Sequence, residues 1–105
     1  MSRAIELHLA AEAEIEDAGD YLNERTPGEG ARFAMAVDAA LQASRRSPRT
    51  GTLVELKRST TEVRRKRVKP HDYQVVYAVY DDRILVLAVA HNRRRPLYWR
   101  ERVPK

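Results

Sequence analysis

Arg64-Arg65-Lys66-Arg67 place four consecutive cations between the apolar residues Val63 and Val68. A second set, Arg93-Arg94-Arg95 with Arg100 and Arg102, surrounds Tyr98 and Trp99 near the C-terminus. Clusters of this kind can track phosphates or grip an acidic protein segment. They can equally be a solvated surface, and on an edge strand they discourage pairing with another sheet. Tyr98 and Trp99 offer faces to a partner, or close a core beneath the tail. His91 ends an apolar run, where a capping role and a proton-transfer role are both open. A tyrosine phenol titrates at about 10, so Tyr98 could act as a base only beside strong cations.

Other chemistry has no foothold. His8, His71 and His91 lack metal-ligand spacing. No serine stands in a nucleophile elbow. Pro27-Gly28-Glu29-Gly30 lacks the Lys-Ser/Thr of a phosphate loop and reads as a helix link. The expectation is no metal and no cofactor.

The charge is unevenly placed. Residues 1–50 hold 6 Lys/Arg and 9 Asp/Glu, a net of −3, whereas residues 51–105 hold 14 and 6, a net of +8. A basic half suggests an acidic partner, nucleic acid or protein. The 105 residues allow one domain, spanning residues 1–105. There is no cysteine, which excludes disulfides and thiolate metal sites and fits a reducing compartment. No apolar run reaches membrane-span length. The stretch from Met1 to Glu6 lacks the apolar segment of a signal peptide. A cytoplasmic location, away from membranes, is expected.

The elements that must position these groups follow from periodicity. Ile5-Glu6-Leu7-His8-Leu9 alternates as a half-buried strand does. From Ala10 the period changes: Ala11, Ile15, Ala18 and Leu22 form one helical stripe. Glu12, Glu14, Glu16 and Asp17 sit in the early turns, where the helix dipole favours anions. Thr26-Pro27-Gly28 ends this helix. A second helix runs from about Gly28 to Arg46, with Phe33, Val37, Ala40 and Leu41 as its buried stripe, and Ser47-Pro48 stops it. Residues 48–61 read as a loop. Three strands follow, over 62–69, 73–80 and 83–91, the last dense enough in apolar residues to be buried on both faces. Short links make them antiparallel neighbours. Residues 92–105 form a basic tail. The order β-α-α-β-β-β predicts an α+β fold, a helical hairpin on one face of a four-stranded, mostly antiparallel sheet.

Several motifs in this order narrow the reading. Ala11-x-x-x-Ile15-x-x-Ala18-x-x-Tyr21-Leu22 resembles the first helix of the RelE/ParE superfamily of type II toxins. So do Phe33 with Ser47-Pro48-Arg49-Thr50-Gly51, and the stretch from Lys69 to Tyr77. Val89-Ala90-His91-Asn92-Arg93-Arg94 resembles the ParE-type ending of the last strand. The resemblance covers nearly the whole chain. It implies a toxin that inhibits growth, has a role in plasmid stabilisation, and is silenced by a cognate, ParD-like antitoxin whose ribbon-helix-helix half binds DNA. The ParE branch implies DNA gyrase as target. The RelE branch implies messenger RNA cleavage on the ribosome.

Placed on the RelE pattern, Arg65, Arg67 and Lys69 match basic positions of the second strand, and Tyr98 matches a tail tyrosine. These four would be the catalytic set of a ribonuclease. Gln74, however, stands where that pattern carries an arginine, and a glutamine supplies no fixed positive charge. Asn92 stands near another arginine position, although Arg93, Arg94 and Arg95 follow immediately. The incomplete cationic cage favours the ParE reading. Its candidate surface for target or antitoxin comprises Arg64, Arg65, Arg67, His91, Arg93, Arg94, Arg95, Tyr98, Trp99 and Arg100.

Overall fold

The change of period after Leu7 is a helix start. The His8 ring caps it, its Nδ1 accepting the Ala10 amide at 3.0 Å. In the computed structural model, which describes residues 3–105, this boundary separates β1 (Ala4–Leu7) from α1 (Leu9–Arg25). Met1 and Ser2, part of the stretch read for a leader, lie outside the described residues. α2 (Glu29–Arg46) follows, then a 3-10 turn over Pro48–Thr50, β2 (Thr52–Val54), β3 (Val63–Val68), β4 (Tyr73–Val79) and β5 (Arg83–His91). A last 3-10 turn spans Arg100–Arg102. The strands lie in the order β1-β5-β4-β3-β2. β1 runs parallel to β5, and every other pair is antiparallel.

The sheet therefore has five strands, not the four expected. The extra strand, β2, lies in the segment read as a loop, with Thr52 opposite Arg65 and Val54 opposite Val63. Three residues are too few to show a period of two, so only the partner reveals it. The outer backbone groups of β3 need partners, and β2 supplies them. Gly51 allows the tight approach. The Tyr77 hydroxyl donates to the Pro48 carbonyl at 2.6 Å, and a Cβ at Gly51 would run into that hydroxyl.

Both helical stripes lie where their spacing put them. Phe33, Val37, Ala40 and Leu41 are buried. Ala11 and Ala18 are buried too, with Ile15 and Leu22 packed partly covered beside them. They meet Val68, Tyr73, Val75, Tyr77, Ile84 and Val86 of the sheet. The opposite sheet face has its own core: Val63, Val76, Ala78, Leu87 and Ala88, closed by Trp99 of the tail. Strand β5 is thus buried on both faces, as its composition requires. Its regular alternation breaks once. Val86 pairs with Tyr77 and Ala88 with Val76, which leaves Leu87 as the extra residue of a bulge. Leu87 and Ala88 consequently both face the tail-side core.

Two carboxylates tie loops to this frame. The Glu29 carboxyl, at the start of α2, is held below its ordinary value, first by the His71 ring at 3.0 Å and then by Arg32. The Glu62 carboxyl is likewise lowered, first by its bond from Arg64 at 2.7 Å. Both folded values lie below the reference of 4.5. Their contribution is therefore present above that pH and is lost as pH falls through the depressed values. Melting temperatures followed downward through this window should fall less steeply in the double variant Glu29→Gln/Glu62→Gln than in the wild type. Parallel slopes would show that these pairs do not carry the acid sensitivity.

Candidate functional site

Alternation along β3 divides its cations between the two sheet faces. Val63 belongs to the tail-side core and Val68 to the helix-side core, so Arg65 and Arg67 face the tail while Arg64 and Lys66 face the helices. Arg64 is fully engaged there: its Nε donates to Glu62 at 2.7 Å and its Nη1 to the Gly51 carbonyl at 2.8 Å. Lys66 reaches the Thr50 hydroxyl at 3.2 Å. On the tail side, the Arg65 Nη1 donates to Gln74 Oε1 at 3.3 Å. Gln74, opposite Arg67 in the ladder, thus orients a guanidinium and adds no charge.

The tail folds back over this face and leaves a groove of about 330 Å³ between itself and the strands. Arg65, Gln74, His91, Arg94, Arg95 and Leu97 are among its walls, with Tyr98 and Trp99 at its base. Trp99 is only 4% exposed and packs into the tail-side core. It holds the tail down and leaves little of itself for a partner. The Arg94 guanidinium lies 3.9 Å from the centre of the Tyr98 ring, a stacked arrangement that keeps the cation pointing at the groove. His91 Nδ1 accepts the Arg93 amide at 3.0 Å, and its ring makes a T-shaped contact with Tyr73, centres 5.0 Å apart. It caps the strand end.

The Tyr98 hydroxyl donates to Glu14 Oε2 at 2.7 Å. Burial, and then this carboxylate, push the phenol far above its ordinary value, so it holds its proton. Glu14 also accepts from Arg102 at 2.9 Å and from the Val89 amide at 3.0 Å.

The sequence-predicted residues therefore separate. Arg65, His91, Arg94, Arg95 and Tyr98 come together around one groove. Arg64 lies on the opposite face. Arg100 turns away to bond the Lys57 carbonyl, and Arg93 is exposed outside the groove. β2 pairs with β3 only as far as Arg65, so Lys66 to Val68 form an open sheet edge. There Arg67, although on the tail-facing set, borders with Lys69 a second groove of about 520 Å³, between α2 and the strands, whose apolar wall is Ala36, Ala39 and Ala43. The two grooves share Arg65 and Gln74. Of the four residues required of a ribonuclease, Lys69 and Tyr98 thus line different grooves. Glu14 is the participant that sequence reasoning missed, and Arg102 stands there only as one cation of the basic tail, without its partner. Glu14 reads there only as an anion near a helix start, because its partners are 75 to 88 residues away in the chain.

The family model described as the ParE toxin of type II toxin-antitoxin systems, parDE, matches residues 5–96. The chain belongs to the ParE toxin family. A solved chain from the chromosomal ParDE TA system of P. aeruginosa has a similar fold. Its TM-score is 0.69 at 10% identity, covering 85% of this chain and 95% of that chain. At that identity the likeness concerns the ParE fold alone. A search of curated proteins finds no match. The ParE family match ends at Pro96, so Tyr98, Trp99 and Arg102 lie beyond it. No described helix of this ParE chain is long and apolar enough to cross a membrane.

Proposed function

We propose that this chain is the toxin of a type II toxin–antitoxin pair that works in the cytoplasm by binding, with DNA gyrase as its target and the tail-side groove as its contact. The observation that carries the reading is the state of Tyr98. A phenol donating to Glu14, its proton held far above the ordinary range, is no base for attacking a phosphate ester. Gln74 adds no fixed charge beside it. What the groove offers is cations on rigid supports, Arg65 on a strand and Arg94 on an aromatic ring, which suit recognition. The α2 groove, lined by alanines together with Lys66, Arg67 and Lys69, suits an acidic segment of a ParD-like antitoxin carrying small apolar side chains.

The test pairs two assays on the purified protein. Supercoiling by gyrase should be inhibited, and Arg65→Glu should weaken inhibition by about tenfold or more, the loss of one charge contact. Transcripts in a translating extract should stay intact. Cleaved transcripts that become intact with Tyr98→Phe would establish the ribonuclease reading in its place. Untouched supercoiling together with unhindered growth would leave a chain that keeps only antitoxin binding.

A further inference from the structure

β5 runs nine residues, but its neighbour β1 accompanies it only to Val86, the partner of Leu7. The His8 amide makes the last contact of that edge, donating to the Val86 carbonyl at 2.9 Å. Just past this point comes the bulge at Leu87, which turns two more backbone groups toward neighbours that are not strands. The Leu87 carbonyl accepts Arg102 Nη1 at 3.0 Å, and the Val89 amide donates to Glu14 Oε1 at 3.0 Å. Glu14 and Arg102 are also bound to each other, through contacts of 2.9 and 3.2 Å. The pair supplies one acceptor and one donor, which is what a continuing strand would have offered.

Glu14 has a second oxygen, and it accepts the Tyr98 hydroxyl. Tyr98 in turn carries Arg94 on its ring. A single side chain of α1 therefore meets the bulge, the last 3-10 turn and the aromatic support of the groove. Both members of the ion pair are largely covered, with side chains 16% and 19% exposed. Removing the carboxylate would leave a covered guanidinium with the Leu87 carbonyl but no counter-charge, and a phenol and an amide short of an acceptor, so the tail would move outward to find water.

We propose that Glu14 is the positioning residue of the groove: it anchors the tail to the bulge of β5 and thereby fixes Tyr98 and the Arg94 guanidinium over the binding face. The functional half of this inference rests on the groove being the target contact; the anchoring half does not.

The test uses the full chain with Glu14→Gln, which keeps the size of the side chain and loses its charge. Amide exchange should accelerate about tenfold or more at Val89 and across Arg100–Arg102, while Val75 and Tyr77 in the helix-side core keep their protection. Ultraviolet titration of the tyrosines should show one phenol moving down toward the ordinary range, a signature that a merely structural carboxylate elsewhere on α1 would not give. Inhibition of gyrase supercoiling should weaken about tenfold. Should Glu14→Gln fail to fold, Tyr98→Phe removes only the hydroxyl and should still loosen residues 92–105. Unchanged tail exchange in either variant overturns the anchoring. A loosened tail with undiminished inhibition overturns the positioning role. If the wild type leaves gyrase untouched, the target reading falls, and exchange and titration still decide whether Glu14 anchors the tail.

Discussion

Phe33→Ala is expected to destabilise the fold by about 3–5 kcal/mol, the range for deleting a buried aromatic side chain. Phe33 is fully buried in α2 and joins the two helical stripes to the sheet. Its ring makes T-shaped contacts with Tyr73 and His71, with ring centres 4.9 and 5.3 Å apart. Tyr73 meets His91 at 5.0 Å, so a relay of edge contacts runs from α2 through β4 to the end of β5. Each such contact adds about 0.5–1.5 kcal/mol beyond area burial. Phe33→Leu keeps most of the apolar volume and loses the edge contacts, so its cost should be well below that of alanine. For a chain of this length the alanine variant's melting temperature should drop by more than about 10 °C. Calorimetry of the two variants decides the matter. A loss below about 1 kcal/mol in Phe33→Ala would mean that α2 can close over the vacancy, and that the helix-side core is less tightly packed than its burial implies.

What the sequence reveals follows from the range of the interaction that fixes each feature. The α2 stripe is legible because residues three and four apart share one helix face, and nothing distant is needed to see it. The cations of β3 are legible as a group, and the period of two then assigns Arg65 and Arg67 to one face and Arg64 to the other once Val63 and Val68 are placed. Strand β2 is not legible, since three residues carry no period and its identity is a property of the β3 edge it covers. The bulge at Leu87 hides inside a run that is apolar at every position from Ile84 to Ala90, where alternation leaves no trace. Trp99 is equally suited by composition to a core or to a contact, and the answer comes from the uncovered face formed by Val63, Val76 and Leu87. Glu14 is the extreme case. Locally it is one acid among several in a helix, and only the fold brings Tyr98, Arg102 and the Val89 amide to it.

Trp99→Ala should separate the two cores. The side chain covers Val63, Val76, Ala78, Leu87 and Ala88 on the face away from the helices. Deleting a buried tryptophan costs about 3–5 kcal/mol where the structure must keep the vacancy. Here the chain has another course: without Trp99 the tail keeps chiefly the polar contacts of Tyr98 and Arg102 with Glu14 and Leu87, which water can replace, so it can detach. The cost is then limited to what the tail contributes, and the outcome is local: fast amide exchange over residues 92–105 with slow exchange retained in β3, β4 and α2. The bared valines and Leu87 should bind a dye that reports exposed apolar surface. With its base gone, the groove loses the arrangement of Arg94 and Arg95 against Arg65, and whatever activity the groove supports should fall with it. Global unfolding in a single step, with the tail amides no faster than those of β4, would show instead that the tail and the sheet form one cooperative unit. In that event the groove could not be opened without unfolding the protein, and any partner would have to bind it in its closed shape.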